Sequence, residues 1–307
     1  MQKKKVIVVV GPTASGKSTL AFNIAKDFGG FLISADSRQI FKDMDIGTNK
    51  DKGKWLRKGL KKTFYVDGIE ECLVDFLKPS KYFSLDDWLN KTKDLIRTKR
   101  RLPVVVGGTG LYTTALVKNY ELPSGYNKSL RKKIKKDLAE FGVQYLVKQL
   151  LKIDPDIDQK IDIENPRRVC RALELYSLKD DDSTEDLQLE STEFEFLQIG
   201  KTLSREELYF KINKRVDEMI DEGLIDEVKK LQKKGYKKDS PAITGIGYRQ
   251  VIEYLEGNID LKESIRLIKR DTRRYAKRQL TWYKRHSDIH WVENYPEAKK
   301  LIKTFLK

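Results

Sequence analysis

The sequence predicts an α/β fold in which a P-loop, nucleotide-kinase-like parallel sheet forms the core, extended by a helical insertion domain and C-terminal helices. Three short apolar runs, 5–10, 31–35 and 102–106, have the length and β-branched content of buried strands. A helical pattern of apolar residues separates the first two runs, and a long connection precedes the third. Strands joined by helices and long crossovers are typical of a parallel sheet covered by helices.

The first strand leads into a phosphate loop, GPTASGKS, and a helical pattern begins where this loop ends. The segment fits GxxxxGK[ST] in the strand–loop–helix context that the motif requires. Its glycines allow a tight turn that directs N–H groups inward, and the helix N-terminus adds positive potential. Lys17 supplies a mobile charge, and Ser18 supplies a hydroxyl ligand for Mg²⁺, the predicted cofactor. The predicted diphosphate-binding residues are Gly11, Thr13, Ala14, Ser15, Gly16, Lys17, Ser18 and Thr19.

The middle of the chain has a different pattern. From about residue 126, Lys/Arg-rich helical periodicity replaces the apolar runs, and the acidic residues 180–192 predict an exposed loop. Residues 194–199 predict a strand that returns to the sheet. We therefore predict a core of 1–125 and 193–307 that carries a helical insertion at 126–192. Long helices are predicted in the last third, at 205–234, 246–256 and 262–286.

Charge is the main signal in the composition. The 307 residues include 62 Lys and Arg against 46 Asp and Glu, which gives a formal net charge of +16. This excess favours a polyanionic partner such as nucleic acid, although a generally lysine-rich proteome would also produce it. The isolated Cys72 and Cys170 indicate neither a zinc site nor a disulfide framework. No apolar run approaches about 20 residues, so we expect a soluble, cytoplasmic protein without a membrane partner.

The phosphate loop alone leaves the ligand open, and ATP or GTP hydrolysis is one interpretation. Enzymes of that kind usually carry a second strand that ends in Asp and helps to hold Mg²⁺. Here the run 102–106 is followed by Gly-Gly-Thr-Gly, which weakens that interpretation. The run 31–35 is followed by Asp36, whose carboxylate could hold Mg²⁺, cap a turn, form an ion pair or act as a general base.

Several segments together resemble the motifs of the tRNA dimethylallyltransferases. The core motifs are GPTASGKS at 11–18, ISADSRQIFKDMDIGT at 33–48 and VVVGGTGLY at 104–112. Further segments similar to family signatures lie at 166–174, 245–249 and 276–282. The chain departs from the family at Glu71 and Cys72, where relatives commonly carry a pair of histidines, and its lysine-rich 50–70 segment is longer than usual.

The resemblance implies a reaction and roles for four residues. The exocyclic N6 amine of the adenosine immediately 3′ of the anticodon attacks C1 of dimethylallyl diphosphate and expels diphosphate. Asp36 would take the proton of the amine, and Thr109 would hydrogen-bond the bridging oxygen. Lys17 and Arg215 would stabilise the charge that develops on the diphosphate. From spacing alone, Thr109 is an ordinary turn residue and Arg215 a solvated surface arginine.

The implied partner, the anticodon stem-loop of tRNA, suits two Lys/Arg-rich segments at 128–136 and 262–286. The second segment also carries Tyr275, Trp282 and Tyr283. A basic stripe with aromatic residues suits phosphate contact and base stacking, whereas the alternative is a solvated helix with its aromatic residues in the core. The family pattern predicts tRNA contacts for Asp36, Ser37, Arg38, Gln39, Arg167, Arg168, Arg171, Thr244, Gly247, Tyr248, Arg249, Lys277, Arg278 and Gln279.

Other functions stay open beside this one. An adenylate isopentenyltransferase that acts on free adenine nucleotides would be favoured by a short chain without the insertion and the basic helices. An ATP-dependent small-molecule kinase would turn over ATP without RNA. A non-catalytic RNA-binding protein with a vestigial phosphate loop is disfavoured, because Lys17, Ser18 and Asp36 are all intact. Members of the family usually act as monomers, and we expect the same here.

Overall fold

The computed structural model of this chain describes residues 3–59, 61–120, 128–177, 193–238 and 240–307. The chain divides into two compact units, one of Met1–Asn119 with Ser191–Lys307 and a second of Tyr120–Glu190. Composition placed the borders of the insertion at 126 and 192 instead. The acidic loop predicted at 180–192 lies outside the described residues.

The first unit contains one eight-stranded sheet. Its strands are β1 (Lys4–Val10), β2 (Phe31–Ser34), β3 (Lys54–Lys58), β4 (Lys61–Val66), β5 (Ile69–Cys72), β6 (Pro103–Gly107), β7 (Phe194–Lys201) and β8 (Ile289–Val292). Their order in the sheet is β3-β4-β5-β2-β6-β1-β7-β8. The pairs from β5 to β8 are parallel, and Val8 of β1 lies between Val105 and Gln198. The predicted fold class is confirmed, including the strand that returns to the sheet.

One edge of the sheet is antiparallel, and the sequence did not predict it. β3, β4 and β5 follow one another as a meander, and β5 then pairs in parallel with β2. Phe64, Val66 and Val74 form a small core with Phe22 and Trp55. Lysines surround these few apolar positions in the 50–70 segment, so the alternation that identifies a half-buried strand is weak in the sequence.

Both units contain helices. Those of the first unit are α1 (Lys17–Asp27), α2 (Leu85–Thr98), α3 (Gly110–Val117), α7 (Arg205–Asp221), α8 (Leu224–Lys233), α9 (Tyr248–Leu255), α10 (Leu261–Tyr283) and α11 (Tyr295–Leu306). Those of the second are α4 (Lys128–Ile153), bent at Gly142, α5 (Ile157–Lys160) and α6 (Pro166–Tyr176). In the part of the chain that the structure describes, no helix has the length and apolar character needed to cross a membrane.

The prediction of a single helix at 205–234 is wrong, because the structure contains two helices in this range. α7 ends at Asp221, and α8 begins at Leu224 after Gly223, which has a φ of +100°. A backbone in this left-handed region interrupts the hydrogen bonding of a helix, and glycine adopts it without a steric penalty. The apolar spacing continues across the break, which explains why periodicity alone did not reveal it.

Each unit has its own apolar core. In the first unit, Ile7, Val9 and Val104 of the sheet are fully buried against Leu20 and Ile24 of α1. In the second unit, α4 and α6 bury another apolar cluster, which consists of Ile134, Leu146, Val147, Leu150, Ile157, Val169, Ala172 and Leu173. Burial of apolar surface on this scale is the dominant favourable term in folding.

Two adjacent glutamates on β5 have opposite environments. Glu70 forms ion pairs with Lys99 at 2.6 Å and with Arg101. Glu71 is only 5% exposed, and its Oε2 has no hydrogen-bond partner among the residues that the structure describes. Burial, followed by the negative charge of Asp51, raises the pKa of Glu71 from 4.5 to about 8. Without a bound cation, these surroundings favour the protonated form of Glu71.

We expect Glu71→Gln to reduce the loss of stability that accompanies rising pH. The folded-state pKa is raised, so the stabilisation from the bound proton is complete below pH 4.5 and is lost as the pH rises towards about 8. In thermal melts with a chelator present, the Tm of the variant should therefore rise relative to the parent across this window. As a control, Glu70→Gln removes an ion-paired carboxylate and should lower the Tm at neutral pH. Parallel pH profiles of Glu71→Gln and parent would contradict the assignment.

Candidate active site

A cavity of about 560 Å³ opens beside the phosphate loop in the first unit. Its charged lining residues are Lys17, Asp36, Asp51, Asp67, Glu71, Lys211, Lys214, Arg215 and Glu218. Its apolar lining residues include Phe22, Leu32, Val66 and Val106. The cavity thus combines a strongly polar region with an apolar surface, as a ligand with a charged end and a hydrocarbon end requires.

The phosphate loop has the backbone geometry of an anion site. Gly11 has a φ of +151°, and a Cβ atom there would lie 2.1 Å from the carbonyl oxygen of Lys201. Ala14 and Gly16 also have positive φ values, +62° and +85°. Left-handed residues inside such a loop create the concave arrangement of N–H groups that binds anions. Ser15 is buried, and its Oγ has no hydrogen-bond partner among the described residues.

Two cations of the cavity are half-buried. Burial lowers the pKa of Lys17 to about 8, although the nearby Asp36 acts in the opposite direction. Burial also lowers the pKa of Arg215 below its ordinary value, against the influence of Asp51 and Asp36. A desolvated cation gains most from a bound counter-charge. The cavity is therefore suited to a multiply charged anion at the phosphate loop.

Arg215 lies at the phosphate loop and is not a solvated surface arginine. Its Nε donates to Oδ1 of Asn49 at 2.7 Å, and its Nη1 donates to Oγ1 of Thr13 at 3.2 Å. Helix α7 thus brings a guanidinium to the cavity from far along the chain. Arginine can present several donors to phosphate oxygens at once, which makes this position effective for binding a diphosphate.

Asp36 and Thr109 lie at the ends of neighbouring parallel strands and are linked through the backbone. Oδ1 of Asp36 accepts hydrogen bonds from the N–H groups of Arg38 at 2.8 Å and Gln39 at 3.4 Å. Oγ1 of Thr109 accepts a hydrogen bond from the N–H of Ser37 at 3.2 Å. The turn-capping role considered for Asp36 is therefore present, and it orients the carboxylate beside the cavity that this residue lines.

Gln279 of α10 connects the two loops of the site. Its Oε1 accepts a hydrogen bond from the N–H of Thr13 at 2.9 Å, and its Nε2 donates to the carbonyl of Gly108 at 2.7 Å. The side chain is 6% exposed. A Cβ atom at Gly108 would lie 2.2 Å from Nε2 of Gln279, so glycine is needed for this approach. Tyr283, one helical turn later, is buried and donates to the carbonyl of Gly107 at 3.3 Å.

Other residues with a predicted tRNA contact form a second group. Nη1 of Arg38 donates to the carbonyl of Pro241 at 2.7 Å and to Oγ1 of Thr244 at 3.5 Å. Arg249 forms an ion pair with Asp271 at 2.6 Å. The structure therefore brings Arg38 and Thr244 together, and their contact with tRNA stays a prediction.

Tyr248 and its neighbours have a structural role that the sequence did not indicate. Tyr248 is 1% exposed, and its hydroxyl donates to Glu227 at 2.7 Å. Glu227 also accepts hydrogen bonds from the N–H groups of Asp45 and Ile46, both at 2.8 Å. This carboxylate supports the loop that leads to Asn49, the partner of Arg215. Glu227 lies on an amphipathic helix among other charged residues, so nothing in the sequence singled it out.

Several basic residues of α10 have a polar side-chain partner. The paired residues and their partners are Arg266 with Glu263, Lys269 with Asp217, Arg270 with Asp271 and Arg273 with Asn213. The side chains of Lys277 and Arg278 are exposed. Tyr283 is in the core, and the indole of Trp282 donates to Thr114 at 3.0 Å. The interpretation of these two aromatic residues as packing residues is thus the one that the structure favours.

The predicted tRNA residues of the second unit all lie on α6. Arg167 and Arg168 are exposed at its first turn. Arg171 forms an ion pair with Glu174 at 3.1 Å. Their contact with tRNA stays a prediction, as do the roles assigned to the residues of the cavity.

Comparisons with known proteins agree with this geometry. Residues 39–286 match the model of the IPP transferase family. The chain is 40% identical to the tRNA dimethylallyltransferase of Acetivibrio thermocellus, over 97% of this chain and 95% of that protein. It is 42% identical to the protein of the same name from Alkaliphilus metalliredigens, over 99% of this chain and 97% of that protein.

Two solved structures extend the comparison to the fold. The tRNA isopentenylpyrophosphate transferase of Bacillus halodurans is similar with a TM-score of 0.69 and 36% identity, over 99% of this chain and 96% of that one. A eukaryotic dimethylallyltransferase acting on tRNA is similar with a TM-score of 0.75 and 26% identity, over 94% of this chain and 74% of that one. From the match of the family model and these nearly full-length similarities, we conclude that the chain belongs to the IPP transferase family.

Proposed function

We propose that this protein transfers the dimethylallyl group of dimethylallyl diphosphate to the N6 amine of the adenosine immediately 3′ of the anticodon of tRNA, with release of diphosphate. The observation that carries the proposal is one cavity lined by both the phosphate loop and Asp36, and bordered by apolar residues. The similarity to tRNA dimethylallyltransferases over nearly the whole chain supports it.

In this proposal the donor binds with its diphosphate on the phosphate loop and its hydrocarbon tail on the apolar side of the cavity. Lys17 and Arg215 stabilise the negative charge that grows on the diphosphate as the C1–O bond breaks. Both cations are half-buried before the donor binds, and burial lowers the pKa of each. Mg²⁺ fits this cavity, since Ser18 lines it together with Glu71, whose buried Oε2 has no hydrogen-bond partner in the described part of the chain. Ser18 would hold the ion, which would further neutralise the diphosphate.

The acceptor adenine reacts at Asp36. The N6 nitrogen forms a bond to C1 of the donor, and Asp36 takes a proton from the amine as this bond forms. The hydroxyl of Thr109 donates a hydrogen bond to the bridging oxygen, which leaves with the diphosphate. An adenine stacked in the anticodon loop is not accessible to these residues, so the base must be flipped out of the stack.

We also propose that the protein acts as a monomer in the cytoplasm, where tRNA is matured, and that it binds the anticodon stem-loop. Arg38 and Thr244 would contact the tRNA from the first unit, and Arg167 and Arg168 from the helical unit at 120–190. The exposed Lys277 and Arg278 would contact tRNA phosphates.

The central prediction concerns Asp36→Asn, assayed with radiolabelled dimethylallyl diphosphate, Mg²⁺ and unmodified tRNA. Loss of the base should lower kcat by about 10²- to 10⁴-fold, whereas the exposed Asp94→Asn of α2 should behave like the parent. Parallel reactions contain free AMP, or ATP without RNA. Label transferred to AMP and not to tRNA would establish the adenylate isopentenyltransferase instead, and ATP consumption without transfer would establish the kinase.

Gln279→Met should raise the KM for dimethylallyl diphosphate by about 10-fold, because it removes both hydrogen bonds that hold the phosphate loop against the Gly108 turn. Steady-state kinetics with each substrate varied in turn will separate the two KM values. Gln232→Met, at an exposed position of α8, is the matched control. If the KM for tRNA rises while that for the donor does not, Gln279 acts on tRNA, as the family pattern had suggested.

Lys277→Gln should weaken tRNA binding, because one phosphate contact is lost. A plot of the logarithm of the association constant against the logarithm of salt concentration has a negative slope, and its magnitude should fall by about one. Arg266→Gln serves as the comparison, because this arginine already binds Glu263 at 2.6 Å. Filter binding or fluorescence anisotropy across a salt series gives both slopes. Equal slopes for the two variants would mean that Lys277 does not contact a phosphate.

A further inference from the structure

The carboxylate that commonly assists the phosphate-loop hydroxyl in holding Mg²⁺ is not at its usual place in this fold. In many phosphate-loop enzymes it follows a strand near the loop. Here β6, the neighbour of β1, ends at Gly107 and continues into Gly108 and Thr109. The cavity nevertheless has carboxylates on another side, where β5 and the segment before β3 contribute Glu71 and Asp51.

Glu71 is a buried side chain in surroundings that suit coordination of a cation. It lies on β5, in register with Leu32 of β2 and Phe64 of β4, so apolar residues flank it on both sides. It is 5% exposed, and its Oε2 has no hydrogen-bond partner among the described residues, although the side chain lines the cavity. Buried polar atoms are nearly always satisfied in native proteins, and an exception at a binding cavity indicates a missing ion, water or ligand.

Lys50 influences this carboxyl through its charge, but its ammonium group is engaged by other acceptors. Nζ of Lys50 binds Asp45 at 2.6 Å, Asp75 at 2.7 Å and the carbonyl of Phe41 at 2.8 Å. These three acceptors account for the three hydrogens of an ammonium group. Asp51, which lines the same cavity, interacts unfavourably with Glu71. A divalent cation between the two carboxylates would offset both this repulsion and the free-energy cost of a buried charge on Glu71.

We infer that Glu71 and Asp51 form the acidic side of the Mg²⁺ position in the diphosphate cavity, and that they hold the ion together with Ser18, directly or through its water shell. The inference rests on the proposed diphosphate donor. No cluster of three acidic, histidine or cysteine side chains able to hold a metal occurs among the described residues. Mg²⁺ bound through phosphate oxygens and waters needs only one or two carboxylates.

The chemistry of the two side chains supports the inference. Glu71 and Asp51 both offer carboxylate oxygens to a cation. Oxygen ligands suit Mg²⁺, whereas imidazole suits transition metals. The metal preference of this chain should therefore depend on Glu71 itself.

Metal binding can be measured without catalysis. Mn²⁺, in place of Mg²⁺, is titrated into the full chain in the presence of inorganic diphosphate, and free Mn²⁺ is followed by electron paramagnetic resonance. We expect Glu71→Gln to weaken Mn²⁺ binding by about 10- to 100-fold, and Asp51→Asn to weaken it in the same direction. Glu218→Gln removes an acidic group from the exposed part of the same cavity and should leave Mn²⁺ affinity close to that of the parent.

The outcomes separate the metal site from the proposed reaction and from misfolding. Glu71→Gln should melt at or above the parent Tm without metal, and it should gain less Tm when Mg²⁺ and diphosphate are added together. A folded Glu71→Gln that binds Mn²⁺ as tightly as the parent overturns the inference, as does an equal loss of affinity in Glu218→Gln. If dimethylallyl transfer to tRNA fails while Mn²⁺ binding still depends on Glu71, the proposed function is contradicted and the proposed metal site is supported.

Discussion

The candidate site depends on the contact between Gln279 and the two loops that it joins. One loop follows β1 and the other follows β6, so their relative position is only partly determined by the pairing of these strands. A single amide side chain accepts from the N–H of Thr13 and donates to the carbonyl of Gly108. Helix α10 thereby sets the distance between the phosphate loop and the turn that carries Thr109.

The position of Arg215 in the cavity also depends on hydrogen bonds from several elements. Arg215 reaches Thr13 while it is held by Asn49, and Asn49 belongs to a loop supported by Glu227. Side chains from α7 and α8 thus cooperate to keep a guanidinium in a place where burial disfavours its charge. Such an arrangement costs stability in the free protein, and it favours any ligand that supplies the missing negative charge.

Much of the fold could be predicted from the sequence, because its central strands are continuous apolar runs and its phosphate loop has a strict pattern. The antiparallel edge was missed because the few apolar residues of β3 and β4 are surrounded by lysines. The break at Gly223 was missed because apolar periodicity continues across it. For the site, sequence patterns indicated which residues gather near the cavity, but they did not indicate which way each side chain points. The sequence did not indicate that Gln279 binds the backbone of both loops, whereas its contact with RNA stays a prediction.

The direction of Gln279 follows from helix geometry. Successive residues of an α-helix are rotated by about 100° from one another. Lys277 and Arg278 therefore point into solvent while Gln279, immediately after them, points into the core with Tyr283. A short segment of α10 thus presents cations on one face and holds the phosphate loop with the other.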